Sequence, residues 1–328
     1  MTWWSSSVAR RWAGGAGVAV VLGASAVAGP PPAMAASCAM TGYPLKQVAG
    51  DWDGDGDDTP GLYDRYTATW YLRDSTTAGA PQLCFRYGRP FDDPVIGDWD
   101  GNGTDTVGVV RRPVGSTWLW ILNNSNAGGG GDVYYRYGPD SGTQAEPITG
   151  DWDGDGDTDI GVVESGETHL RWRLRRSNET IEGSPTFGYG LYWSKSASGG
   201  DLPPNVPVVG DWDGDGADTV GVVQWSPNTL DEWHLRNSNT PGNAEVVFPF
   251  GNISGNGLGA NMVAGDWNGD GYDDPGYVSW AFDDDPATPY EESHLWWALR
   301  RSTSGAITSF PYGTLLAGIP TTGLTPRR

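Results

Sequence analysis

Beyond about residue 45 the chain alternates short apolar runs with breaks rich in Gly and Asp, and no stretch keeps the 3.6-residue apolar period of an amphipathic helix. One unit shows the pattern well. Val208-Val209 runs into an Asp-rich break, and Thr219-Val220-Gly221-Val222-Val223 leaves it. A third run alternates, so that Trp233 and Leu235 share one face and His234 takes the other. A fourth, Phe248-Pro249-Phe250, alternates again and stops at Gly251. These periods predict four short strands joined by turns.

The same succession occurs five times. Gly50-Asp51-Trp52-Asp53-Gly54-Asp55-Gly56 is echoed by words starting at Gly97, Gly150, Gly210 and Gly265, which are 47, 53, 60 and 55 residues apart. Every unit then carries a Trp-x-Leu strand, headed by Trp70, Trp120, Trp172, Trp233 and Trp297. An aromatic-x-aromatic-Gly strand follows, at Phe85/Tyr87, Tyr135/Tyr137, Phe187/Tyr189, Phe248/Phe250 and Phe310/Tyr312. A single four-stranded sheet would leave both faces wet, whereas sheets stacked face to face bury the aromatic residues between neighbours. The expected fold is therefore all-β, a propeller of five four-stranded blades, with repeats near 48–94, 95–147, 148–207, 208–262 and 263–313. An open stack, or a ring completed by a second chain, is the alternative.

Between the first two strands of each blade lies the Asp-rich loop. With its first Asp numbered 1, positions 1, 3 and 5 are Asp51/Asp53/Asp55, Asp98/Asp100/Asn102, Asp151/Asp153/Asp155, Asp211/Asp213/Asp215 and Asp266/Asn268/Asp270. Position 6 is always Gly, and position 9 is Thr59, Thr106, Asp159, Thr219 or Asp274. Position 8 adds Asp58, Asp105, Asp218 and Asp273. Turn capping needs one such side chain, not three at alternate positions. Crowded hard oxygens with a Gly at position 6 suit Ca2+, up to five ions in all, better than the tighter octahedron of Mg2+. The bidentate Glu at position 12 of an EF-hand is absent, being replaced by Leu62, Val109, Val162, Val222 and Tyr277. The third loop is expected to bind best, and the second, with fewest carboxylates, worst.

Composition agrees. The 328 residues carry 41 acidic and 20 basic side chains, a net charge of −21, and half of those acids sit in the five nine-residue loops. That charge argues against nucleic acid or anionic lipid as a partner.

Residues 1–35 read as an export signal: Arg10-Arg11, an apolar run from Ala13 to Ala28, and Ala33-Met34-Ala35 as the cleavage site, with Sec and twin-arginine routes both open. No second apolar span follows, so no membrane span is expected in the mature chain, which then comprises a lead (36–47), the repeats and a tail (314–328). In an exported chain Cys38 and Cys84 read as one disulfide pinning the lead to the first unit; lipidation of Cys38 is the alternative, though Ala35-Ala36-Ser37 lacks the usual large aliphatic residue.

Asp-x-Asp-Gly-Asp-Gly followed by an apolar strand resembles the FG-GAP and VCBS repeats of bacterial extracellular proteins and integrin-like β-propellers. The resemblance spans residues 48–313. It implies calcium at loop positions 1, 3, 5 and 9, hence at the residues named above. This chain departs in having Thr at position 9 in three units, and five units where seven are usual. The family's functions are mixed, covering adhesion, glycan binding and parts of lyases.

The expected function is a secreted, non-enzymatic binding or adhesion module with structural calcium, its partner an extracellular protein or a glycan. A lectin-like or polysaccharide-processing protein is the alternative, for which the off-pattern Trp193, Trp225, Trp280 and Trp296 are the candidate contacts. An enzyme is the weakest reading. The sequence has no zinc-binding His pair, nucleophile elbow or phosphate loop, and His169, His234 and His294 fall on or beside the third strands. Asp283-Asp284-Asp285 with Glu291-Glu292 reads as a solvated acidic loop.

Overall fold

A computed structural model describes Cys38, Met40 and residues 45–140, 144–176, 185–191, 205–226, 229–251, 261–282, 293–301 and 305–314. Residues 1–35, expected to be an export signal, the tail beyond residue 314, the acidic insert and Trp193 lie outside the described residues. Twenty strands form five separate four-stranded sheets, each antiparallel and each in chain order. Blade 1 consists of Leu45–Gly50, Thr59–Asp64, Thr69–Leu72 and Leu83–Arg86. The first strands of the other blades are Asp93–Gly97, Ala145–Gly150, Val206–Gly210 and Asn261–Gly265. These five inner strands neighbour one another in a closed cycle, Leu45–Gly50 lying against both Asp93–Gly97 and Asn261–Gly265. The chain alone completes a five-bladed propeller, so neither the open stack nor the two-chain ring describes it. Among the described residues no helix is long and apolar enough to cross a membrane.

Register is the same in every blade. The repeat Trp stands opposite the first aromatic of the fourth strand: Trp70↔Phe85, Trp120↔Tyr135, Trp172↔Phe187, Trp233↔Phe248 and Trp297↔Phe310. All five Trp are fully buried. Their indole N–H groups donate to the carbonyls of Tyr87, Tyr137, Tyr189, Phe250 and Tyr312, at 2.9–3.3 Å. A ring of that size removed from water contributes on the order of 4–6 kcal/mol before its lost entropy is counted.

The core is shared between blades. One apolar cluster joins Leu45, Leu62 and Tyr71 of blade 1 to Trp297, Phe310 and Tyr312 of blade 5. In four blades the glycine that ends the fourth strand, Gly88, Gly190, Gly251 or Gly313, sits where the next blade comes closest, whereas Gly138 sits against Trp118 of its own blade. At Gly88 φ is +86°, and a Cβ there would lie 2.8 Å from Val109 Cγ1. Leu62, Val109, Val162 and Val222, at loop position 12, are 0–2% exposed. A bidentate Glu could not be placed there without burying its charge in the seam, which accounts for its absence.

One further tie crosses the seams, and another holds the lead to blade 1. Tyrosine hydroxyls donate to the adjacent blade, Tyr87 to Ile121 O (3.0 Å), Tyr189 to His234 O (2.9 Å) and Tyr312 to Tyr71 O (3.0 Å). The last of these spans the closure between blades 5 and 1. Cys38 and Cys84 form a disulfide with a Cα–Cα distance of 5.9 Å, fixing the lead to the fourth strand of blade 1.

Candidate metal centre

Each Asp-rich loop is a hairpin connection closed by a strand pair: Gly50↔Thr59, Gly97↔Thr106, Gly150↔Asp159, Gly210↔Thr219 and Gly265↔Asp274. The intervening eight residues wrap around the carboxylate at position 1. Its Oδ2 accepts the position-6 N–H at 2.6–2.8 Å in all five loops. Its Oδ1 accepts the position-5 N–H at 3.1–3.2 Å. Position 6 has φ between +80° and +92°, the left-handed region in which Gly is the residue without strain. The position-5 side chain caps the position-7 N–H at 2.9–3.2 Å. Turn chemistry thus occupies one face of positions 1 and 5.

Carboxylate oxygens also converge in three of the loops. Among the described residues, Asp51/Asp53/Asp55, Asp151/Asp153/Asp159 and Asp211/Asp213/Asp215 each bring carboxylate oxygens within 4.8 Å of one another. Burial, then the charges of Asp55 and Asp51, raise the Asp53 carboxyl above its ordinary value; burial, then Asp215 and Asp211, do the same at Asp213. Such sets of hard, mutually repelling oxygens could hold a metal ion. In the third loop the buried Asp159 at position 9 joins the set. In three others the position-9 hydroxyl, on Thr59, Thr106 or Thr219, donates to the carbonyl of Gly50, Gly97 or Gly210 at 3.3 Å. The second loop has only Asp98 and Asp100 beside Asn102. In the fifth the Asn268 amide donates to Asp274 at 3.2 Å.

Among the described residues, Asp155 and Asp270 stand outside the converging groups. Asp155 lies outside the third-loop set, where Asp159 stands in its place. Its Oδ1 accepts the Asp157 N–H at 3.1 Å, and Asp153, which belongs to the set, also lies 3.7 Å from Arg176. Asp270 belongs to no such set among the described residues. Its Oδ1 accepts the Tyr272 N–H at 3.2 Å, and the Asn268 amide takes up Asp274, so the three carboxylates of the fifth loop do not converge. The same capping holds Asp55 and Asp215, which do join their sets, so what differs is position 9, which is Asp in the third and fifth loops and Thr in the first and fourth.

Position 8 does something the spacing alone did not reveal. It turns towards the propeller axis and latches onto position 1 of the neighbouring loop. Asp105 Oδ2 accepts the Asp51 N–H (3.0 Å), and the Asp105 N–H donates back to Asp51 O (2.8 Å). Asp218 with Asp151, Asp273 with Asp211 and Asp58 with Asp266 repeat this two-bond latch, and Thr158 Oγ1 serves in the same way for Asp98. Four carboxylates and one hydroxyl therefore ring a cavity of about 420 Å³ at the loop end of the axis. Burial, then the charge of the next carboxylate, holds Asp58 and Asp273 well above the ordinary range. Asp105 and Asp218 are raised to about 7, burial again being the first cause. The inner strands run in one direction, so their starts open on the opposite mouth. That cavity, of about 810 Å³, is lined by Lys46, Glu146, Glu164 and Asn205.

Of the off-pattern aromatics, Trp296 is 41% exposed and Trp225 half-buried, while the Trp280 side chain lies outside the described set. Much of the two long inter-unit connections, 192–204 and 283–292, lies outside it as well.

No protein-family model matches the chain, and no curated protein matches it. A solved structure of an Agrocybe aegerita lectin, described as specifically recognising non-reducing terminal N-acetylglucosamine, is similar at 12% identity over 83% of this chain and 80% of that one, with a TM-score of 0.37. At that score the likeness carries no weight for this chain's function.

Proposed function

We propose that the protein is a secreted, calcium-stabilised β-propeller of the FG-GAP/VCBS type, acting as a non-enzymatic extracellular binding module. The observation that carries this reading is the convergence of carboxylate oxygens within 4.8 Å in three loops built on one register. Calcium there is structural. It neutralises the crowded loops, and because position 1 of each loop is latched to position 8 of the next blade, it also stiffens the ring of seams. Extracellular modules bind calcium with dissociation constants on the order of 10⁻⁴–10⁻³ M, matching a compartment in which the ion is abundant.

Calorimetric titration of the mature chain tests the reading. Calcium should bind in preference to magnesium, and Asp153→Asn should remove one binding event. Equal response to both ions, or a titration unaltered by Asp153→Asn, would count against it.

A further inference from the structure

The seam between blades 1 and 2 carries a feature that the repeat does not require. Tyr66, in the turn after the second strand of blade 1, and Phe91, in the link to blade 2, are 53% and 60% exposed. Their rings meet edge to face with centroids 5.3 Å apart. Phe91 has φ +70°, a conformation unfavourable for a bulky side chain by roughly 1–2 kcal/mol. It is pinned there by its N–H donating to Arg65 O (2.8 Å) and by the Arg89 N–H on the Asp92 carboxylate (2.9 Å). The backbone is thus held so as to present an aromatic ring to solvent.

Beside this pair is a cavity of about 370 Å³ lined by four arginines and two aspartates, in a chain whose net charge is −21. Both aspartates are already engaged. Asp92 takes Arg111 in a two-point pair at 3.0 and 2.7 Å. Asp93 takes Arg112 at 2.5 Å and Arg65 at 3.3 Å. Arg112 is further held over the Trp118 ring at 4.2 Å. The Arg89 guanidinium, exposed on the same link as Phe91, has no partner among the described residues. What results is a fixed positive corner with one uncommitted guanidinium beside an exposed aromatic face.

We propose that this corner binds an acidic sugar, the pyranose lying on Phe91 and Tyr66 and its carboxylate on Arg89 and Arg65. A planar guanidinium matches a carboxylate at two points. The aromatic face takes the C–H face of the ring, which a small inorganic anion lacks. This gives a ligand class to the binding-module reading and rests on it.

The test is an NMR titration of the calcium-saturated mature chain with methyl glucuronide, methyl glucoside and acetate, melting being recorded separately with and without calcium. The glucuronide should bind at least about tenfold more tightly than either the neutral sugar or acetate, as loss of one charge-assisted pair implies. Arg89→Ala, at an exposed side chain without a partner among the described residues, and Phe91→Ala should each weaken it by about tenfold or more, with Ile307→Ala, at an exposed side chain in blade 5, leaving it unchanged. No binding, equal binding of all three probes, or insensitivity to Arg89→Ala would overturn the acidic-sugar site. If melting still responded to calcium, the calcium reading would stand apart from that failure.

Discussion

The carboxylate of Asp58, in the first blade, accepts the backbone N–H of Asp266, in the fifth, at 2.8 Å, and the Asp58 N–H donates back to Asp266 O at 2.7 Å. This pair joins residues 208 positions apart and completes at the axis a latch that recurs at every seam. Asp58→Ala leaves the Asp266 N–H without its acceptor and should lower unfolding stability by about 1–3 kcal/mol. Asp58→Asn keeps an oxygen acceptor and removes a charge from a crowded ring. Without calcium at pH 8 it should be at least as stable as the parent. Denaturant unfolding of the two variants separates these effects; an unchanged midpoint for Asp58→Ala would argue that the ring does not close through this latch.

The axial carboxylates also set a pH dependence for the calcium-free protein. In the folded ring Asp105 and Asp218 keep their protons up to about pH 7, whereas in the unfolded chain they ionise near the ordinary value of 3.8. Between those values the folded state holds protons that the unfolded state has released, so stability falls as pH rises through that window. Melting in chelator from pH 4 to 8 should show this decline. Asp105→Thr together with Asp218→Thr, copying the latch that Thr158 already makes, should flatten it. A slope unaffected by the double change would place the pH dependence elsewhere.

The disulfide between Cys38 and Cys84 closes a span of 46 residues. On the chain-entropy model such a loop stabilises the fold by about 4 kcal/mol. Cys38→Ser with Cys84→Ser should lower the melting point by several degrees, and reduction of the parent should do the same. Equal melting of oxidised and reduced protein would mean that the lead contributes nothing to blade 1.

The blade was legible because it is written five times. Trp172 and Phe187 lie opposite each other as the alternating pattern requires, and the same register holds in all five blades. Blade stacking followed from the need to cover two wet faces of each sheet. The loops were legible as acidic turns, but the repeat suggested one role for position 5 in all of them. Asp155 and Asp270 share the type and spacing of Asp55 and Asp215, yet they stand apart from the converging oxygens. What separates them is a neighbour's choice of partner, which spacing does not encode. The ring latch was not legible. Asp105 reads as one more acid in an acidic loop, and only the third dimension shows it meeting Asp51, 54 residues away. Thr158 at the equivalent place breaks the acidic pattern while keeping the oxygen that the latch uses. The corner formed by Tyr66, Phe91 and Arg89 was missed for a related reason. Its residues come from two separate turns, do not repeat, and gave no periodic signal. The unusual φ of Phe91 is a property of the fold that no residue type announces.

Thermal unfolding of the mature chain as a function of free calcium bears most directly on the ring as a calcium-held structure. The melting point should rise with calcium through the 10⁻⁴–10⁻³ M range, fall again in chelator, and respond less in Asp151→Asn/Asp153→Asn, since ligand bound only to the folded state stabilises by mass action. A melting point indifferent to both calcium and chelator would contradict it.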